Sequence, residues 1–131
     1  MSSVVSRMIF PGGAAYAASK WALEALVEGL AIETAPFGLH TTLLQPGAVD
    51  SGALDDPLRY QLPDDPYAAL LAGRGSGSGA GALTPHEVAV AAADAAELPN
   101  PPLRVPIGAQ SATLLAARHD APDDVAFIVG R

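Results

Sequence analysis

Residues 14–46 read AAYAASKWALEALVEGLAIETAPFGLHTTLLQP, and the order of patterns in this stretch, a long helix and then a short apolar strand, decides the fold class. Small and apolar residues follow helical spacing from Ala14 to about Ala35, with Leu23, Leu26, Val27, Leu30 and Ile32 as a stripe expected to face the core. Pro36 and Gly38 stop the helix. From Leu39 to Gln45 apolar and β-branched residues fill nearly every position, as in a parallel strand that helices cover on both faces. An α/β chain is expected.

Outward from this stretch the punctuation is local. Met1 to Val5 reads as the stub of a strand, and Pro11, Gly12 and Gly13 mark the turn into the helix. Pro46 and Gly47 end the second pattern in a turn. Asp50, Asp55, Asp56, Asp64 and Asp65, mixed with Pro57, Pro63 and Pro66, form an irregular polar segment whose carboxylates are expected to be solvated. Tyr67 opens a short YAALLAG helix, and neither it nor Tyr60 is assigned a role. GRGSGSGAGA, from Gly73 to Ala82, fits a loose GxGxxA spacing at Gly75, Gly77 and Ala80. It follows no β-branched strand and is low in complexity, so a flexible linker or mobile lid is expected rather than a nucleotide site. Thr84, Pro85 and Glu87 spell a capped helix start, running to about Leu98. Asn100 to Pro102 break that helix, Leu103 to Ile107 form a short strand, and Ala109 to Arg118 return to helix.

The chemistry is concentrated in Tyr16 and Lys20. They stand one turn apart on one helix face, which sets the ammonium beside the phenol. Free tyrosine is a poor acid, with a pKa of about 10, and a nearby cation favours its charged form. A tyrosine activated in this way suits proton exchange with a carbonyl oxygen, and a serine hydroxyl arriving from the preceding loop, Ser3, suits orientation of the same oxygen. Taken alone, a Tyr and a Lys at this spacing also arise by chance as a half-buried ring and a solvated ammonium.

The company of the pair makes it specific. The run SSVVSRMIFPGGAAYAASKWALEALVEGLAIETAPFGLHTTLLQPGAV, residues 2–49, resembles the active-site segment of the short-chain dehydrogenase/reductase family, with serine, YxxxK helix, strand and PG turn in family order. The resemblance implies an NAD(P)-dependent oxidoreductase interconverting an alcohol and a carbonyl, with NAD or NADP undetermined. It gives Ser3 the role of carbonyl-orienting serine, Tyr16 that of catalytic acid/base, and Lys20 that of activating cation and nicotinamide-ribose ligand. Tyr16, Lys20, Pro46, Gly47, Val49 and Ser51 would line the nicotinamide end of the cofactor, Val49 through its main chain and Ser51 where the family usually carries threonine. Ser2 and Ser6 are read as plain loop serines. The resemblance also implies a homodimer of the complete enzyme through this long alanine-faced helix.

The family's glycine-rich TGxxxGxG turn does not precede Ser3. The resemblance therefore implies the C-terminal portion of a Rossmann-type doubly wound parallel sheet over residues 1–118, lacking its first strands, followed by a divergent tail over 119–131. On this reading the isolated chain is expected to be inactive unless the remaining half is supplied. The alternative is a non-catalytic remnant of the family, or a dimerisation module docking through the same helix.

Composition bounds these readings. Half of the 131 residues are hydrophobic, enough for one domain with a core. Acidic residues outnumber basic ones by 14 to 7 and the cations are scattered, which argues against nucleic acid as a partner. The sequence has no cysteine, so disulfides and thiolate-metal sites are excluded, and His40, His86 and His119 are too dispersed to share a metal. No apolar run approaches the roughly 20 residues of a membrane span. A soluble, cytoplasmic chain with no membrane partner is expected, acting on a small alcohol or carbonyl compound.

Overall fold

A computed structural model describes residues 1–53, 62–72 and 81–127. Helix α1 spans Ala14–Thr34, strand β1 Leu43–Pro46, helix α2 Ala68–Ala72, helix α3 Pro85–Glu97, strand β2 Arg104–Ile107 and helix α4 Ala109–Asp120. The two strands pair in parallel, with Leu43 opposite Arg104 and Pro46 opposite Ile107. The α/β expectation holds, and among the described residues the sheet consists of these two strands.

Local chemistry accounts for the boundaries. After α1 a single tighter turn, Ala35–Phe37, carries Pro36 and ends on Gly38 at φ 71°, a left-handed conformation that glycine adopts without steric cost. The α3 start is a full capping box. The Thr84 hydroxyl accepts the Glu87 N–H, and the Glu87 carboxylate accepts the Thr84 N–H at 2.7 Å. That main-chain bond, followed by the Thr84 hydroxyl, holds the Glu87 carboxyl below its ordinary pKa.

Four sequence expectations are corrected. Met1 to Val5 is not a strand stub: Ser3 caps a short helical turn over Val4–Ser6, its oxygen accepting the Val5 N–H. Side chain to main chain bonding of this kind offers the backbone an alternative to a sheet ladder. One bond, from Ser2 N–H to the Leu44 carbonyl at 2.8 Å, still ties the segment to β1. Strand β1 begins at Leu43 rather than Leu39. The chain facing its earlier part carries Pro101 and Pro102, which have no N–H to donate, so pairing starts where Leu43 N–H reaches the Leu103 carbonyl.

The stripe on α1 is not core. Leu26 is 69% exposed and Ile32 73%, with Leu30 also exposed and Leu23 and Val27 half-buried. The core lies instead beneath the N-terminal turn, where Val4, Val5 and Met8 pack with Phe10, Leu114, Leu115 and Phe127. Phe127 of the divergent tail thus packs against the segment that bears Ser3, and Arg118 pairs with Asp123 at 2.9 Å. The fourth correction concerns Ser2 and Ser6. Both are buried and belong to a polar cluster described below.

Candidate active site

Tyr16 lies in the first turn of α1 and is 49% exposed. One turn on, the Lys20 ammonium lies 5.6 Å from the centre of that ring, within the range at which a cation is attracted to an aromatic face. The same ammonium donates to the Met1 carbonyl at 3.3 Å. Lys20 therefore bridges the tyrosine and the segment that carries Ser3. Ser3 is buried, its hydroxyl oxygen accepting the Val5 N–H at 3.4 Å. Trp21 Nε1 donates to the Val5 carbonyl at 3.1 Å and clamps the same turn to α1.

The second group of candidates continues from β1. Pro46 ends the strand, buried, and Gly47 follows it. A Cβ on Gly47 would lie 3.1 Å from Gln110 Oε1 at the start of α4, so the bare backbone permits a close approach there. Val49 pairs with Leu83 in a parallel bridge made by the Ala48 carbonyl and the Asp50 N–H. Because main-chain groups alternate in direction along a strand, this bridge leaves the Val49 amide and carbonyl on its other edge. The Val49 carbonyl accepts the Ser51 N–H at 3.0 Å, and Ser51 itself is exposed. The two groups are joined through the Ser2 to Leu44 bond and through Gln45 Nε2, which donates to Ser6 Oγ at 3.3 Å.

Sequence reasoning missed Glu24, which is only 4% exposed. Its Oε1 accepts Ser2 Oγ at 2.7 Å, Ser6 Oγ at 2.9 Å and Gln45 Nε2 at 3.0 Å. Its Oε2 accepts Arg104 Nε at 2.8 Å, with Arg7 at 3.8 Å. Burial pushes the carboxyl pKa up, but the bonds from Ser2, Arg104, Ser6 and Gln45 together outweigh it and hold the pKa below its ordinary value. Arg104, shared with Glu28, is correspondingly raised: burial opposes its charge and the two carboxylates overcome it. The available signal was a charge set within an otherwise apolar run, Leu23-Glu24-Ala25-Leu26, two turns beyond Tyr16.

Of the remaining candidates, Tyr67 is exposed, its N–H donating to Asp65 Oδ1 at 2.8 Å. Tyr60, Asp55, Asp56, Pro57 and the glycine run at Gly75, Gly77 and Ala80 lie outside the described residues. His40, His86 and His119 are exposed. Among the described residues no three His, Cys, Asp or Glu side chains gather as a metal site, and no helix is long and apolar enough to cross a membrane.

The nicotinamide end of a dinucleotide can be tested against this donor set. An ammonium beside the phenol of a half-exposed tyrosine, a glycine without a side chain and a main-chain edge at Val49 are groups that a ribose hydroxyl and a carboxamide would engage, so the residues fit that end of the cofactor.

Residues 1–60 match the profile of the short chain dehydrogenase family. A crystal structure of a short-chain dehydrogenase from Streptomyces avermitilis is 33% identical and superposes with a TM-score of 0.74 over 91% of this chain and 44% of that one. An oxidoreductase of Staphylococcus saprophyticus is 42% identical over 57 residues, 42% of this chain and 23% of the relative. Oxidoreductase UcpA of Salmonella typhimurium is 39% identical over 71 residues, 53% of this chain and 27% of the relative. The chain thus spans less than half the length of these relatives. In its parallel strands, its YxxxK helix and this matched segment, the chain is similar to the short-chain dehydrogenase/reductase family.

Proposed function

We propose that the chain carries the proton-transferring site of a cytoplasmic, NAD(P)-dependent oxidoreductase that interconverts a small alcohol and a carbonyl compound. The observation that supports this most directly is the Lys20 ammonium 5.6 Å from the ring centre of a half-exposed Tyr16. A bound nicotinamide supplies the hydride for reduction and accepts it in oxidation. The chain's own residues handle the proton. In reduction the Tyr16 O–H bond breaks as a new O–H bond forms on the former carbonyl oxygen, and the Lys20 ammonium stabilises the phenolate left behind. Ser3 orients the oxygen that receives the proton. Lys20 also engages the ribose, and Pro46, Gly47, Val49 and Ser51 line the nicotinamide end.

Turnover with NADH or NADPH in the enzyme reconstituted with its remaining half, followed alongside cofactor fluorescence, tests the assignment. Tyr16→Phe is expected to lower kcat by a factor of about 10²–10⁴ while cofactor binding is largely kept, and Lys20→Met to impair both. Near-normal kcat in Tyr16→Phe would refute the role of the phenol.

A second reading is favoured by one specific observation, the exposure of Leu26, Leu30 and Ile32 on α1. On that reading α1 docks against another subunit, as a homodimer contact or as the whole role of a non-catalytic module.

A further inference from the structure

We infer that Glu24 is the positioning residue of the proposed site, holding the Ser3-bearing turn in register against the helix that carries Tyr16 and Lys20. The inference rests on the reading of Ser3, Tyr16 and Lys20 given above. Tyr16, Lys20 and Glu24 succeed one another at one-turn intervals on α1. Ser2 and Ser6, which bracket Ser3 and its capped turn, both donate to the same oxygen of Glu24, at 2.7 and 2.9 Å. Gln45 brings β1 to that oxygen, and Arg104 brings β2 to the other. One carboxylate therefore gathers the N-terminal turn, α1 and both strands.

The chemistry requires a carboxylate. All of these partners arrive as donors, and an ionised carboxylate offers only acceptor sites. The two serine hydroxyls can rotate to accept, but the Gln45 amide nitrogen and the Arg104 guanidinium cannot. An amide at position 24 has one acceptor oxygen and no charge, so it either turns its N–H groups towards the donor-only Arg104 or obliges Ser2, Ser6 and the Gln45 amide to reorient, and it releases part of the cluster. Ser3 makes no bond to Glu24 and needs none, because its place is set by its neighbours. Small displacements at a reacting centre are costly: an error of about 1 Å can lower the rate about 10²-fold.

The test uses two readouts, amide exchange on the full chain and kinetics on the enzyme reconstituted with its remaining half. By amide hydrogen exchange, Glu24→Gln is expected to speed exchange at residues 2–6 by about tenfold or more while α3 and β2 keep their protection. By steady-state kinetics, it is expected to lower kcat by about 10–100-fold with the KM for cofactor little changed. Unchanged exchange at residues 2–6 in Glu24→Gln would overturn the inference. If protection is instead lost throughout the fold, Ser2→Ala decides, since it removes one donor and leaves the carboxylate: faster exchange confined to residues 2–6 supports the role, and unchanged exchange overturns it. Tyr16→Phe is measured in parallel. Full turnover there defeats the reading of the site while exchange still decides the role of Glu24. An inactive Tyr16→Phe beside a Glu24→Gln that retains kcat leaves the site standing and removes Glu24 from it.

Discussion

Tyr16 and Lys20 meet because helix geometry places residues one turn apart on a common face, and that fact is written in the sequence. Glu24 stands on the same face, yet its partners come from positions far along the chain: Ser2, Gln45 and Arg104. No local pattern announces a convergence of this kind, which is why Ser2 and Ser6 read as ordinary loop serines and are buried donors instead. The cluster has a pH signature. Hydrogen bonds hold the Glu24 pKa below its ordinary value, so its contribution to stability is complete above the unfolded-state pKa and is lost as pH falls through the folded-state one. The charged groups facing it are Arg104 and Arg7, with Glu28 sharing Arg104. Urea unfolding of the parent chain is expected to lose stability below about pH 4 more steeply than that of Glu24→Gln, the difference reaching at most about 1.4 kcal/mol per pH unit. Identical slopes for the two proteins would show that the carboxylate does not titrate as described.

Among the elements, those whose ends are fixed by nearest neighbours were the most legible. Thr84 and Glu87 cap α3 as the sequence indicates, and Gly38 closes α1 where Pro36 and Gly38 stand. Thr84→Ala removes the acceptor for a helix N–H and is expected to cost about 1 kcal/mol, read from the denaturation midpoint at constant slope. A loss below about 0.3 kcal/mol would mean that water replaces the cap without penalty. Elements that depend on a distant partner were less legible. β1 lost its first expected residues because two prolines lie opposite them, and the Met1 to Val5 strand gave way to a turn capped by Ser3. The helix stripe had the correct period and the wrong destination, since periodicity reveals which residues share a face and says nothing about what covers it.

For the whole molecule, the uncovered face of α1 has consequences for assembly. Leu26 and Ile32, at 69% and 73% exposure, are costly to leave in water, and a second copy of the chain would cover them. If α1 forms a subunit contact, Leu26→Glu shifts the chain towards monomer in sedimentation or light scattering at unchanged secondary structure. A parent chain that is monomeric at high concentration would remove the dimer reading. The α/β class and the family resemblance were legible from one short run of sequence, whereas the location of the core, beneath the N-terminal turn and against Phe127, depends on contacts between the two ends of the chain. The parallel pairing of β1 with β2 carries a different consequence, for the kinetics of folding. Thr42 and Pro102, bonded just before the two strands, are 60 positions apart, so a long stretch of polypeptide must close into a loop before either strand gains its neighbour. That requirement slows the search for the native state far more than it weakens the result, because doubling such a loop costs only about 0.6 kcal/mol of closure entropy. Evolution can therefore lengthen or rewrite the connection between the strands cheaply, while the rate at which the sheet assembles remains tied to it.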